Sequence, residues 1–220
     1  MNNDAQHRYF DTAYRTGSDM WTHIPYIPNV LRMIPSLAPD TIILDVGAGR
    51  GILAHKLLEL GYRVIGIDYV RSIVDSVNQD LKTNKLEHKG RFIHGTATDL
   101  PFTDNSFSLI TEVGLLQHMT NDERNNYLAE LQRVVVPGGY VMCVTLSSET
   151  PRYLGFTPKV QNLSPYEKFG VTYYFFSEGE LNQLFSHYDF VPVKQETQTF
   201  ETRTDPGDSI VLLFTLFQKK

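Results

Sequence analysis

The chain has almost no cysteine and no long apolar run. Among its 220 residues the single cysteine is Cys143, so no disulfide can form within the chain. Cys143 lies in an apolar stretch, which predicts a buried strand residue rather than a nucleophile. No apolar run approaches the roughly 18 residues that span a bilayer, and the first residues lack the basic flank and apolar core of a secretory signal. We therefore expect a cytoplasmic protein without a membrane partner.

Positive charge is also scarce. The chain has 20 Lys and Arg against 25 Asp and Glu, a net charge of −5, which argues against a broad surface for nucleic acid. The histidines are scattered without the spacing of metal ligands, so we expect no metal site. Neither a G-x-S-x-G nor a Walker pattern occurs.

What the chain does contain is a series of apolar runs separated by amphipathic segments, the pattern of parallel strands joined by crossover helices. Strands are predicted at residues 41–46, 62–67, 91–95, 107–113 and 140–146, and helices at 52–60, 71–83 and about 122–135. Pro137-Gly138-Gly139 is predicted to end the last of these helices, and a capping box at Ser177 to start another. The β-rich runs 190–199 and 209–217 flank Asp205-Pro206-Gly207-Asp208, which predicts an antiparallel hairpin.

The most informative segment is a glycine-rich turn after the first strand. Asp45 ends an apolar run and is followed by Gly47, Gly49 and Gly51, where backbone without side chains lets a ligand approach main-chain N–H groups at a helix N-terminus. Asp68 ends the second strand, where a carboxylate can accept hydrogen bonds from a ribose diol. The two features together predict a cofactor that contains a nucleoside.

The glycine spacing distinguishes between such cofactors. A dinucleotide-binding loop would place its third glycine at position 52, which is Ile52. The D-x-G-x-G-x-G pattern from Asp45 to Gly51 instead resembles motif I of the class I S-adenosylmethionine-dependent methyltransferases. The stretches 95–107 and 131–139 resemble two further motifs of that family in the same order, so the resemblance covers residues 41–217.

The resemblance implies a Rossmann-like α/β three-layer sandwich. Its sheet would have seven mostly parallel strands in the order 3-2-1-4-5-7-6, with strand 7 antiparallel. We expect one methyltransferase domain over 1–220: an N-terminal lid at 1–40, a cofactor-binding core at 41–146, an acceptor-site insertion at 147–176, and a C-terminal helix and hairpin at 177–220. The implied cofactor is S-adenosylmethionine, with S-adenosylhomocysteine as product.

The resemblance also implies which residues line the cofactor. Asp45 would orient the loop or reach the methionine ammonium, or else only cap the turn, and Tyr69 would lie along adenine or pack outside the pocket. Thr96 stands where the family commonly has an acid facing the adenine amine, and Asp99 is an alternative partner for that amine. The expected cofactor-binding residues are Asp45, Gly47, Ala48, Gly49, Gly51, Asp68, Tyr69, Thr96, Ala97, Asp99, Glu112, Val113, Tyr14 and Trp21.

Two side chains near the end of the fourth strand are expected to do acid–base chemistry. His118 could be a general base for the acceptor, or a capping or supporting imidazole. Glu112 is the alternative acid, facing the sulfonium or the methionine end of the cofactor. Methyl transfer from a sulfonium requires no acid–base pair, so the sequence identifies the cofactor better than the catalyst.

Two aromatic segments are left to cover the pocket. The stretch 9–21 resembles the aromatic opening of small-molecule methyltransferases, in which Tyr14 and Trp21 would shield the sulfonium; the alternative is that these rings pin a helix to the core. The long segment 147–176 is expected to be irregular and to build a site for an apolar or planar acceptor, or to serve as a structural cover or dimer contact. Its aromatic residues are Tyr153, Phe156, Tyr166, Phe169, Tyr173 and Tyr174.

We therefore predict methyl transfer to a small molecule by a monomer or homodimer. Three alternatives stay open: a methyltransferase acting on protein or nucleic acid, a module that binds S-adenosylmethionine without catalysis, and a nicotinamide-dependent reductase. Ile52 and the final hairpin disfavour the reductase, and the acidic balance disfavours nucleic acid.

Overall fold

A computed structural model describes residues 3–155, 157–158, 165–202 and 208–220. Phe156 and the turn residues Asp205, Pro206 and Gly207 lie outside the described residues. In the described part, no helix combines the length and apolar character needed to cross a membrane, and no group of three or more His, Cys, Asp or Glu side chains could hold a metal ion.

Helices and strands largely alternate between residues 42 and 146. The helices are α1 (Asn3–Thr16), α2 (Ile27–Met33), α3 (Ile52–Glu59), α4 (Arg71–Thr83), α5 (Asn121–Val134) and α6 (Glu178–Ser186), with 3-10 turns at Met20–Thr22 and Leu116–His118. The strands are β1 (Ile42–Val46), β2 (Arg63–Asp68), β3 (Gly90–His94), β4 (Phe107–Val113), β5 (Val135–Leu146), β6 (Tyr166–Lys168), β7 (Val171–Tyr173), β8 (Phe190–Glu201) and β9 (Ser209–Lys219).

Seven strands form one sheet in the order β3-β2-β1-β4-β5-β9-β8. Strands β1 to β5 pair in parallel, and β9 is antiparallel to both β5 and β8. The α/β fold is therefore confirmed, and the order is the predicted one when the separate β6–β7 hairpin is left out of the count. Strands β1, β2 and β4 consequently end side by side at one edge of the sheet.

Apolar side chains on both faces of the sheet account for this arrangement. The side chains of β1 alternate between the two core clusters, with Ile43 in one and Leu44 in the other, both fully buried. Helix α4 buries its apolar stripe of Ile73, Val74 and Val77 in the same cluster as Ile43. Crossover helices therefore cover both faces of the central strands. A ligand site is then expected at the edge where the strands end.

The structure corrects two predictions, one on where helix α5 ends and one on the regularity of segment 147–176. Helix α5 ends at Val134 and β5 begins at Val135, so Pro137-Gly138-Gly139 lies within the strand and does not end the helix. Val135 already pairs with Phe107, and the register shifts before Leu109 pairs with Tyr140, because the proline and the glycines form an irregularity in the ladder. Segment 147–176 is also less irregular than expected, since it contains the β6–β7 hairpin.

The C-terminal helix is fixed to the sheet by stacked aromatic rings. Phe185 of α6 and Phe217 of β9 are both fully buried, and their ring centroids are 3.9 Å apart with planes 1° from parallel. We expect Phe217→Ala to lower the free energy of unfolding by about 3–5 kcal/mol, because it leaves a cavity beneath α6. Urea denaturation measures this loss. Leu60→Ala is the control, since Leu60 is 57% exposed, with an expected change within about 0.5 kcal/mol. A similar small change for Phe217→Ala would contradict the prediction.

Candidate functional site

Two adjoining clefts open at the edge where β1, β2 and β4 end. Including space open to solvent, they enclose about 730 and 700 Å³. Their shared wall contains Gly47 of the glycine-rich turn, Asp68 and Tyr69 at the end of β2, and Leu115 and His118 after β4. The predicted site residues therefore converge from three different strand ends, as expected of an open α/β sheet.

The glycine-rich turn folds back onto the end of β2. Gly47, Gly49 and Gly51 all have positive φ angles of 68°, 49° and 68°, a conformation that side chains disfavour. The N–H groups of Gly47 and Ala48 donate to the carbonyl oxygen of Ile67 at 2.9 and 3.1 Å. The loop is thus held by the neighbouring strand, with its glycines facing the first cleft or packing beneath it.

Asp68 is the charged centre of this edge. Its Oδ2 accepts from the N–H of Gly49 and its Oδ1 accepts from the N–H of Val70, both at 2.9 Å. The side chain is buried and lines both clefts, and burial raises its pKa despite the two backbone donors. These bonds fix the plane of the carboxylate and leave a lone pair on each oxygen, which suits a ligand that offers two hydroxyl donors.

Asp45 lies below the first cleft and is held by the sheet. Its Oδ1 accepts from the hydroxyl of Thr111 at 2.7 Å, and burial raises its pKa to about 7. Asp45 lines the first cleft, so the geometry allows both roles that the sequence left open.

The N-terminal aromatic residues form the outer wall of the first cleft. The hydroxyl of Tyr14 lies 3.0 Å from where a Cβ on Gly49 would be, and the Trp21 ring lies 2.0 Å from where a Cβ on Gly114 would be. Both side chains line the cleft, together with Val113 and Ala48. Only glycine at position 114 permits Trp21 to lie so close to the end of β4.

The second cleft contains Thr96 and Ala97 but not Asp99. The hydroxyl of Thr96 bonds to that of Thr98 at 2.9 Å and accepts from the Thr98 N–H at 3.3 Å, so it stabilises its own turn. Asp99 lines neither cleft in the described structure. Gly51 also lines neither; a Cβ there would lie 2.9 Å from Phe92, so this glycine is needed for packing.

Glu112 lies behind the site rather than in it. Its Oε2 accepts from the N–H groups of Leu115 and Leu116 at 3.2 and 3.4 Å, which caps the following 3-10 turn. The side chain is fully buried, burial raises its pKa to about 7, and it lines neither described cleft. Strand alternation directs Glu112 away from the first cleft, which its neighbour Val113 lines instead, so a contact between Glu112 and the cofactor stays a prediction that this placement does not favour.

His118 lines both clefts and is held by two hydrogen bonds. Its Nδ1 lies 2.7 Å from the carbonyl oxygen of Thr172, which only accepts, so Nδ1 carries the proton. Its Nε2 lies 3.1 Å from Nε2 of Gln117, whose Oε1 accepts from the N–H of Leu146 at 3.0 Å. Gln117 therefore donates to the lone pair of His118, which a general base would need free. The imidazole links the core to the β6–β7 hairpin in this arrangement.

Gln6 and Arg50 are among the residues of the first cleft that sequence reasoning missed. Gln6 of α1 lines both clefts, and Arg50 lies between two glycines of the loop. The sequence did contain a signal for Arg50, because a cation lies inside the glycine-rich turn and the aromatic stretch 9–21 contains a carboxylate, Asp19. Gln6 offered none, since a glutamine on a polar helix is unremarkable in sequence.

Comparisons with known proteins agree with the fold. The model of a family described as methyltransferase domain matches residues 43–139. A demethylmenaquinone methyltransferase from Oceanobacillus iheyensis is 38% identical over 113 residues, which are 49% of this chain and 45% of that protein. The chain thus spans about half the length of the curated relatives it matches.

Two of the similar solved structures share most or all of the fold. One is a 1,6-didemethyltoxoflavin-N1-methyltransferase from Burkholderia thailandensis with bound substrate and S-adenosylhomocysteine, with a TM-score of 0.79, 22% identity, and coverage of 99% of this chain and 88% of that one. The other is the [4+2]-cyclase SpnF, with a TM-score of 0.68, 17% identity, and coverage of 88% of this chain and 79% of that one. At these identities the likeness shows the fold alone.

The hydrogen bonds of His118 lead to a spectroscopic prediction. Burial lowers its pKa to about 4, below the ordinary value of 6.5, so we expect a neutral ring with the proton on Nδ1 at pH 6. Nitrogen-15 NMR of histidine-labelled protein distinguishes the two neutral tautomers from the imidazolium. His118→Asn assigns the signal by its disappearance. A protonated ring at pH 6, or a proton on Nε2, would contradict the assignment.

The raised pKa of Asp45 predicts a pH-dependent stability difference. A folded-state pKa of about 7 against 3.8 means that the folded state retains a proton which the unfolded state releases, so this group's contribution to stability falls as pH rises from about 4 to 7. We expect the free energy of unfolding of Asp45→Asn, relative to the wild type, to increase over that window. Urea denaturation at pH 5 and pH 8 measures it. Asp75→Asn, at an exposed position, is the control and should show a flat difference.

Proposed function

We propose that this chain transfers the methyl group of S-adenosylmethionine to a small molecule, which is supported by the match of residues 43–139 to a methyltransferase-domain model and by the seven-stranded fold. The observation that carries the proposal is the buried carboxylate of Asp68. It is fixed by the N–H of Gly49 and directed into both clefts, at the strand end that follows the glycine-rich turn.

The residues present fit the cofactor. Asp68 would accept from the ribose diol, with Thr96 and Ala97 at the nucleoside end in the second cleft. Gly47 and Gly49 leave room for the methionine part in the first cleft, above Asp45. A carboxylate near that end also suits the ammonium group of methionine.

The cofactor supplies an activated methyl group, and the protein's work is to position the reactants and exclude water. Tyr14 and Trp21 cover the first cleft with aromatic faces, which exclude water and favour a nearby cation. His118 contributes position rather than a free lone pair while Gln117 donates to it. An acceptor that needs no proton removed by the protein is therefore favoured.

Aromatic walls support an apolar, planar acceptor. Phe10, Tyr14, Trp21 and Tyr26 line the first cleft, and its exposed lining is mainly apolar. The names of the relatives, a demethylmenaquinone methyltransferase and a didemethyltoxoflavin methyltransferase, also support a small-molecule acceptor. Gln6, Phe10 and Tyr14 of α1 form part of the wall of the first cleft, which narrows the space left for a folded protein substrate.

A second candidate is cofactor binding without methyl transfer. It is favoured by one observation, the engagement of both ring nitrogens of His118, and by the existence of a cyclase with this fold. Turnover assays with radiolabelled S-adenosylmethionine and a panel of planar phenols, quinols and heteroaromatic amines separate the two candidates.

Calorimetric titration tests the cofactor first. We expect S-adenosylmethionine and S-adenosylhomocysteine to bind and NADH not to bind. Binding of NADH alone would contradict the proposed function, and so would silence from both adenosyl ligands.

Removing the carboxylate of Asp68 should weaken the binding of both adenosyl ligands. We expect Asp68→Ala to cost about 1.5–3 kcal/mol of binding free energy, the range for hydrogen bonds to a charged group. Asp68→Asn keeps one acceptor oxygen, so its affinity for the adenosyl ligands should lie between that of Asp68→Ala and that of the wild type. Asp75→Ala, an exposed carboxylate on α4, should bind normally. Unchanged affinity in a folded Asp68→Ala protein would contradict the ribose assignment.

A further inference from the structure

Arg50 connects the glycine-rich turn to the N-terminal segment. Its Nε donates to Oδ2 of Asp19 at 2.9 Å, and its Nη2 donates to the backbone carbonyl oxygen of Tyr14. The Arg50 side chain is 30% exposed and that of Asp19 only 6%, so this ion pair is better shielded from water than those on the surface. One side chain thus holds two points of the covering segment from inside the loop.

The other oxygen of Asp19 organises the residues that follow. Oδ1 accepts from the N–H and the hydroxyl of Thr22 at 3.0 and 2.6 Å, which caps the 3-10 turn Met20–Thr22. Trp21 lies in this turn and packs against Gly114 at the end of β4. Asp19 therefore transmits the position of Arg50 to the Trp21 ring, while Tyr14 is placed against Gly49 directly.

We propose that Arg50 and Asp19 are positioning residues that make the conformation of the glycine-rich turn and the closure of the N-terminal cover, residues 3–26, a single equilibrium. A change in the turn moves the guanidinium and so the two aromatic residues that cover the first cleft. Closure of the cover in turn holds the turn in its cofactor-binding shape. The effect on cofactor affinity rests on the proposed function, whereas the effect on Trp21 does not.

The coupling has a physical reason on each side, the entropy of the glycine-rich turn and the burial of the Asp19 carboxylate. A loop with three positive φ glycines has many accessible conformations, so an ion pair that restricts it lowers the entropy lost on ligand binding. Without Arg50 the carboxylate of Asp19 would stay buried with only Thr22 as its partner, and the segment would move to hydrate it. The cover would then open even in the absence of ligand.

Trp21 is the only tryptophan of the chain. Tryptophan fluorescence therefore measures the environment of the N-terminal cover. We expect Arg50→Gln to shift Trp21 emission to longer wavelength and to increase acrylamide quenching in the ligand-free protein. S-adenosylhomocysteine should bind about tenfold more weakly, equivalent to about 1.4 kcal/mol. Arg50→Lys keeps the charge and one donor and should restore part of both properties.

Arg32→Gln is the matched control, because Arg32 joins α2 to Glu196 of β8 and does not touch the glycine-rich turn. It should leave emission, quenching and affinity unchanged. Should Arg50→Gln fail to fold in a thermal melt, Asp19→Asn weakens the same bond from the other side and takes its place.

The outcomes separate this inference from the proposed function. If Trp21 quenching in Arg50→Gln and Asp19→Asn matches the wild type, the cover is positioned by other contacts and the inference is wrong. If quenching rises but affinity for S-adenosylhomocysteine is unchanged, the cover and the turn are independent and the coupling is wrong. If the wild type binds neither adenosyl ligand, the proposed function fails, while the quenching comparison still decides the link between Arg50 and Trp21.

Discussion

The hydrogen bond from the N–H of Gly49 to the carboxylate of Asp68 is the interaction on which the site depends. It joins the turn after β1 to the end of β2, two strands whose parallel register pairs Val46 with Ile67. The carbonyl oxygen of Ile67 accepts two further N–H groups of the same turn. The first part of the turn, Gly47 to Gly49, is thus held by the neighbouring strand, whereas Arg50 farther along the turn contacts the N-terminal cover.

This dependence explains why so much of the site was predictable from sequence. Apolar runs place β1, β2 and β4 in a buried sheet, and parallel strands must end at a common edge. Asp68 follows a buried apolar run, so its carboxylate is expected at that edge of the sheet. The glycines were informative because positive φ angles leave glycine as the favoured residue, and the structure has such angles at Gly47, Gly49 and Gly51.

What the sequence placed wrongly or did not reveal depends on contacts that local pattern does not contain. Glu112 and Val113 are adjacent in sequence, but strand alternation places Glu112 behind the cleft and Val113 in its wall. A shift of one residue in the strand would exchange the two positions. Pro137-Gly138-Gly139 has the composition of a helix terminator, yet Val135 already pairs with Phe107 in the ladder. Arg50 gained its role only because the N-terminal segment returns to the glycine-rich turn, a contact across 31 residues.

The position of His118 bears on what chemistry the cleft can support. Its two ring nitrogens join the 3-10 turn after β4 to the β6–β7 hairpin, through Gln117 on one side and Thr172 on the other. Freeing the lone pair would leave the buried amide of Gln117 without that acceptor, which costs about 1–3 kcal/mol. A protein built in this way favours acceptors that are nucleophilic without losing a proton to a side chain, such as an amine or an already ionised hydroxyl. Selectivity then depends on how the aromatic walls of the first cleft orient the acceptor against the methyl group, which is why the residues that hold those walls in place matter as much as those that touch the cofactor.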